Sequence, residues 1–161
     1  LTQQDRQVVA DYDNATSYHA PVVDAILARF TDRDAIAVYL SDHGEEVYDY
    51  RDFFCRSHDL PLTPEVCKYQ FEIPFMIWMS DTYRRNRPDV AAQVAGALDR
   101  PFSADDLSHL LLDLAGIRCR WYDPARSLIG ERFDTTRPRP LLMGIEPAGN
   151  YETIIGRDRK Q

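Results

Sequence analysis

Apolar and aromatic residues recur at Val8, Tyr12, Ala15, Val22, Ile26 and Phe30, which lays them along one face of a long first helix. Thr2 followed by Asp5 has the form of a capping box at its start. Pro21 falls inside the pattern, lacks a backbone donor, and predicts a kink or a split there. After Asp34 the texture changes. Ala35-Ile36-Ala37-Val38-Tyr39-Leu40 is almost wholly apolar and predicts a buried strand, ending abruptly in Ser41-Asp42-His43-Gly44-Glu45. Residues 44–72 read as an irregular connection rich in Asp, Tyr and Arg, of a length that compact domains keep for a function. A second strand is predicted over Ile73–Met79, with Pro74 suited to a strand start or an edge.

Beyond Ser80-Asp81 the pattern turns helical. Pro88 is placed to open a helix running to about Leu98. Ser103 and Asp106 repeat the capping-box spacing ahead of Leu107, Leu110, Leu111 and Leu114, and Gly116 is a natural stop. Arg137-Pro138-Arg139-Pro140 breaks regularity, and Leu141–Ile145 predicts a short strand. A helix leading directly into a buried strand is an α/β signature, and polar groups at the carboxyl end of such a strand mark the usual place of an active site.

Composition narrows the function classes. The 161 residues suit one domain or a large piece of one. The formal net charge is -7 and no stripe of Lys or Arg exists, which argues against nucleic-acid binding. No apolar run approaches the ~20 residues of a membrane helix. The chain begins with Leu rather than Met, which leads us to expect a piece of a longer protein. Of the three cysteines, Cys55 and Cys67 flank a loop-like stretch and could be bridged; three free thiols are the alternative. No CxxC pair favours a thiolate zinc site.

Asp42 and His43 are the candidate metal ligands. A carboxylate oxygen beside a neutral imidazole nitrogen is a donor mix that zinc favours. Neighbours in a strand point to opposite faces, so the two can share an ion only where the strand has ended, and Gly44 permits a turn there. Asp-His pairs are also common in ordinary turns, and spacing alone does not separate the two readings.

Tyr39-Leu40-Ser41-Asp42-His43-Gly44-Glu45, with Glu72-Ile73-Pro74-Phe75-Met76-Ile77-Trp78 some thirty residues on, resembles the alkaline-phosphatase and sulfatase superfamily, and within it the bacterial phosphoethanolamine transferases. Tyr12-Asp13-Asn14-Ala15 resembles the helix before the metal strand of that family. The run from Asp106 to Ile117 resembles its late helix, so the similarity spans roughly residues 11–117. The resemblance implies an alkaline-phosphatase-like three-layer α/β sandwich, with residues 1–161 as the C-terminal segment of a single catalytic domain. It implies zinc, held by Asp42 and His43 together with an acidic ligand from earlier in the domain. A nucleophilic Thr is expected N-terminal to Leu1, so that the fragment alone would be inactive. The implied reaction moves phosphoethanolamine from phosphatidylethanolamine to a glycan or lipid A hydroxyl, at the periplasmic face of an inner membrane reached through a segment outside this chain.

The resemblance also implies a substrate-binding role for His58, although Arg56-Ser57-His58-Asp59 departs from the family's Tyr-Leu-His-Gly run. Glu45 and Glu46 are open to two readings, orienting the ligands or forming a solvated acidic turn. His19 reads as structural or exposed, and His109 as a packing residue or one that supports the ligands from behind. Tyr48, Tyr50, Phe53 and Phe54 read as local packing before substrate contact. Two other readings remain: a sulfatase or phosphodiesterase on the same fold, and a non-catalytic domain that binds a partner through the 44–72 loop.

Overall fold

A computed structural model describes residues 1–56, 61–143 and 146–156. Helix α1 runs over Gln3–Ala28 and is held at its start by the capping box: the Asp5 amide donates to Thr2 Oγ1 at 3.2 Å, and the Thr2 amide to Asp5 Oδ2 at 2.6 Å. Hydrogen bonds from Thr2 side chain and backbone keep the Asp5 carboxyl below its ordinary range. The Tyr48 hydroxyl donates to the same carboxylate at 2.9 Å, tying the helix start to the body. Of the kink or split predicted at Pro21, the split does not occur; α1 continues through it as one helix. The carbonyl that Pro21 leaves without a donor belongs to Ser17, which is exposed, so water can take the place of the missing N–H. The predicted apolar face is also not a buried face. Tyr12, Val22, Ile26 and Phe30 are exposed, and α1 has no buried residue.

Strand β1 (Ile36–Leu40) pairs antiparallel with β4 (Phe75–Met79), in the register Ile36↔Met79 to Leu40↔Phe75. Both strands are half-buried along their length rather than buried. The ladder is extended at each end, by the Ser80 amide donating to the Ala35 carbonyl and the Ser41 amide to that of Pro74. Ser80 also caps α3 (Asp81–Asn86), its Oγ accepting from the Tyr83 amide at 3.0 Å. Pro88 opens α4 as predicted, but that helix ends at Ala95.

The main core lies against one face of β4. Phe75, Ile77 and Met79, alternate residues of the strand, pack on Val94 and Ala97, on Leu110 of α5 (Leu107–Leu114), and on Leu128 and Ile129. Ser103 makes no capping bond to α5, which is entered through a 3-10 turn over Ala104–Asp106. Asp106 instead lies buried between Arg126, at 2.6 Å, and Arg137. Gly116 stops the helix with a left-handed φ of 68°, as its position predicts.

The stretch read as irregular contains structure. Strand β2 (Glu46–Val47) pairs antiparallel with β3 (Phe54–Cys55), and α2 covers Pro64–Phe71. Thr63 caps α2, its Oγ1 accepting from the Val66 amide at 3.3 Å, and Pro64 fills the first turn. This helix packs Cys67 into a second core with Leu141 and Tyr151. Leu141 lies on β5 (Pro140–Met143), which pairs antiparallel with β6 (Glu146–Asn150) ahead of α6 (Tyr151–Ile155). All three thiols are free; Cys67 faces this core while Cys55 is exposed, so the bridge open to the sequence is not formed. Among the described residues the strands make three two-stranded antiparallel ladders.

A candidate metal centre at the end of β1

The chain leaves β1 at the end where β4 begins, and the turn that follows is fixed by its own polar groups. Ser41 Oγ donates to the His43 carbonyl at 2.7 Å, and the His43 amide donates to Asp42 Oδ1 at 3.0 Å. His43 Nδ1 lies 2.9 Å from the Gly44 carbonyl oxygen. A carbonyl can only accept, so this contact places the ring proton on Nδ1 and leaves the Nε2 lone pair free. Nε2 then faces Asp42 Oδ2 across 3.8 Å.

That geometry suits two ligands of one ion. Donors each ~2.0–2.1 Å from a tetrahedral zinc stand roughly 3.3 Å apart. A small rotation of Asp42, whose side chain is 89% exposed, closes the difference. The backbone carbonyl on Nδ1 is the kind of partner that fixes a ligating histidine's tautomer. Two donors do not complete a tetrahedral site, and among the described residues no group of three or more His, Cys, Asp or Glu could hold a metal.

Gly44 serves this turn differently from the way its sequence position suggests. It is not at a positive φ; it is at a close approach. A Cβ there would press into the Tyr69 carbonyl oxygen and lie 3.1 Å from Gln70 C and 3.2 Å from Glu72 O. Its amide donates to the Gln70 carbonyl at 3.2 Å, so the turn is laid directly on the end of α2. Glu46 secures the other side. It is wholly buried rather than a solvated turn residue, and Arg51 grips it with Nε at 2.8 and 3.0 Å and Nη2 at 2.7 Å. Arg51 in turn lies over the Tyr50 and Phe53 rings, and Tyr48 packs near Phe54, so these aromatics form local packing as predicted. Glu45 is half-buried.

Asp42 and His43 open onto a cavity of about 820 Å³. Its polar wall includes Arg56, Glu72, Arg139 and Tyr151, and its apolar wall Phe75, Phe102 and Leu128. Arg139 Nε donates to Glu152 Oε1 at 2.5 Å, and the Tyr151 hydroxyl donates to Glu72. Burial pushes the Glu152 carboxyl upward, but its hydrogen bonds, that of Arg139 foremost, win and hold it below its ordinary range. Volume and lining are those of a small-molecule site.

The sequence-predicted residues separate cleanly. Asp42 and His43 are brought together at the cavity. His58 lies outside the described residues. His109 is buried on α5, its Nδ1 accepting from the Asp123 amide at 3.0 Å, which is a packing role. His19 is exposed, 3.4 Å from the Tyr39 hydroxyl. Sequence reasoning missed Arg56, Glu72, Arg139 and Tyr151 as lining residues; Glu72 entered only as the first residue of the second-strand segment, and Arg139 sits in a stretch whose prolines read only as a breaker.

A family model described as Sulfatase matches residues 1–117. Phosphoethanolamine transferase EptC of Escherichia coli O18:K1:H7 is 36% identical over 142 residues, 85% of this chain and 23% of that protein. Kdo(2)-lipid A phosphoethanolamine 7''-transferase of E. coli K12 is 31% identical over 86 residues, 53% of this chain and 14% of that protein. The chain thus spans about a quarter or less of the curated relatives it matches. Among solved structures, the C-terminal periplasmic domain of EcEptC from E. coli superposes with a TM-score of 0.80 at 32% identity, covering 98% of this chain and 44% of that one. The same domain in complex with Zn gives 0.77 at 32% identity, covering 96% and 42%. The α/β fold is therefore the alkaline-phosphatase-like one that the resemblance implies.

Proposed function

We propose that this chain, which belongs to the sulfatase family, forms the C-terminal part of the catalytic domain of a zinc-dependent phosphoethanolamine transferase. The observation that carries the reading is the turn after β1, where the Gly44 carbonyl sets the His43 tautomer and leaves Nε2 facing Asp42 at the mouth of the cavity. The similarity to phosphoethanolamine transferases and to a Zn complex supports the reaction and the metal.

In this reading Asp42 Oδ2 and His43 Nε2 are two of the zinc ligands. An acidic ligand and a nucleophilic hydroxyl come from the part of the domain outside this chain. When bound, zinc lowers the pKa of the nucleophile and offsets charge on the transferred phosphoryl group. The chain's own residues do the rest of their work by position. Ser41 and Gly44 hold the turn. Glu46 and Arg51 lock it against α2, and the cavity receives the donor. His58, fifteen residues after His43, is assigned to the substrate. Phosphatidylethanolamine is the proposed donor and a lipid A or glycan hydroxyl the acceptor. The proposed location is the periplasmic face of the inner membrane, although none of the described helices is long and apolar enough to cross a membrane.

Elemental analysis of the complete catalytic domain tests this, wild type beside His43→Ala, with transfer from phosphatidylethanolamine measured on the same samples. About one equivalent of zinc in wild type, lost with activity in the variant, is the expected result. Metal-free wild-type protein would instead support a domain that binds partners without chemistry. Hydrolysis without transfer would support the hydrolase reading.

A further inference from the structure

Among the described residues, three arginines line the cavity: Arg56, Arg100 and Arg139. Two have their acceptors within the fold. Arg100 Nη1 donates to the Leu128 carbonyl at 2.7 Å and the Gly130 carbonyl at 2.9 Å. Arg139 is paired with Glu152 at 2.5 Å. Arg56 differs. Its Nε is buried and, among the described residues, has no hydrogen-bond partner. The guanidinium lies 5.8 Å from the centre of the Phe71 ring, a contact that orients it and supplies no acceptor. It follows Cys55, whose φ of 94° is uncommon for any residue but glycine, so the backbone delivering Arg56 is itself held in a costly conformation.

A buried donor without an acceptor is a cost that native proteins seldom leave unmet. The missing acceptor is most simply part of whatever fills the cavity. A guanidinium fork matches the oxygens of a tetrahedral oxyanion and cannot lose its charge. Asp42 and His43 line the same cavity. We propose that Arg56 is an oxyanion-binding residue of this site, donating from Nε to a phosphoryl oxygen of the ligand. The assignment rests on the transferase reading for the identity of that ligand, and on the cavity alone for its charge and shape. The shared chemistry is a phosphate group, which either a phosphoethanolamine moiety or inorganic phosphate would provide.

Calorimetric titration of the metal-loaded complete catalytic domain with phosphoethanolamine and, separately, with inorganic phosphate is the test, and it needs no turnover. Arg56→Ala is expected to weaken binding roughly tenfold or more, as loss of a charge-assisted hydrogen bond should. Arg56→Lys, which keeps the charge without Nε, should fall between. Zinc content should stay at the wild-type level in both. A loss confined to phosphoethanolamine identifies the headgroup as the ligand; a loss for both identifies any phosphate. Unchanged affinity for both probes in Arg56→Ala would overturn the proposal. If that variant does not fold, Arg56→Met retains the stem over Phe71 and carries the same measurement. Arg56-dependent phosphate binding in a domain that transfers nothing would sink the transferase reading and leave this one standing.

Discussion

Replacing Gly44 by alanine isolates the contact on which the candidate metal turn rests. The added Cβ would collide with the Tyr69 carbonyl oxygen and lie 3.1 Å from Gln70 C and 3.2 Å from Glu72 O, all backbone atoms at the end of α2 that cannot rotate away. The turn must therefore lift from the helix. Overpacking of this kind costs ~1–3 kcal/mol. Lifting also stretches the 3.2 Å hydrogen bond from the Gly44 amide to the Gln70 carbonyl, at a further ~0.5–1.5 kcal/mol. The total, ~2–4 kcal/mol, should lower the melting temperature of the complete catalytic domain by on the order of a few °C. The Gly44 carbonyl also holds His43 Nδ1, so zinc content should fall with stability. Gly96→Ala is the control. That glycine has an ordinary helical φ of -74° and its nearest Cβ contact would be 3.4 Å, so the change should be neutral or stabilise by up to about 1 kcal/mol. Differential scanning calorimetry with metal analysis on both variants decides the matter. A Gly44→Ala protein that melts with the control and keeps its zinc would refute the close-approach argument.

Other consequences follow from the same packing. Glu46→Ala leaves Arg51 facing a void where a wholly buried carboxylate stood, and should cost about 3 kcal/mol, read as a shift in the denaturation midpoint at unchanged slope. Burial pushes the Cys67 thiol up to about 11, so iodoacetamide at neutral pH should label the exposed Cys55 and Cys119 and spare Cys67; mass spectrometry showing Cys55 joined to Cys67 would contradict the free thiols of the fold. Glu152 is held below its ordinary value of 4.5, so its pairing with Arg139 contributes stability that is complete above that pH and lost as pH falls through the folded-state value. Arg139→Met should remove that part of the acid dependence in pH-resolved melts, and an unchanged profile would deny the ion pair its role.

How much of this was legible in the sequence depended on whether the cause was local. The capping box of Thr2 and Asp5, the helix opening at Pro88, the stop at Gly116 and the two central strands are set by residues within a few positions of one another, and all are found. So is the apposition of Asp42 and His43, because the side-chain hydrogen bonds that bring the two together run within Ser41 to Gly44. Ser103 and Asp106 had the same local signal as Thr2 and Asp5 and did not cap. Arg126 and Arg137, twenty and thirty-one residues away, offer the Asp106 carboxylate two charged donors in place of one amide, and the local motif yields.

Helix α1 shows the limit from the other side. Its period was read correctly, but a period fixes only which residues share a stripe, not what the stripe meets. Asp5, Val8, Val9, Val23 and Leu27 are the half-buried positions, while Ile26 is 53% exposed and Tyr18 74%. Arg56 and Gly44 make the same point at the site. A lone arginine between a cysteine and a serine, and a glycine after a histidine, carry no local signal of a cavity or of a carbonyl pressed against a missing Cβ. Their meaning comes from α2, which reaches the turn only after the β2–β3 hairpin folds back and Glu46 is buried beneath Arg51. The candidate ligand pair is therefore encoded in three or four consecutive residues, and the contacts that hold its turn are spread over the following thirty. A substitution in that stretch, far from Asp42 in sequence, should weaken metal retention as surely as one beside it.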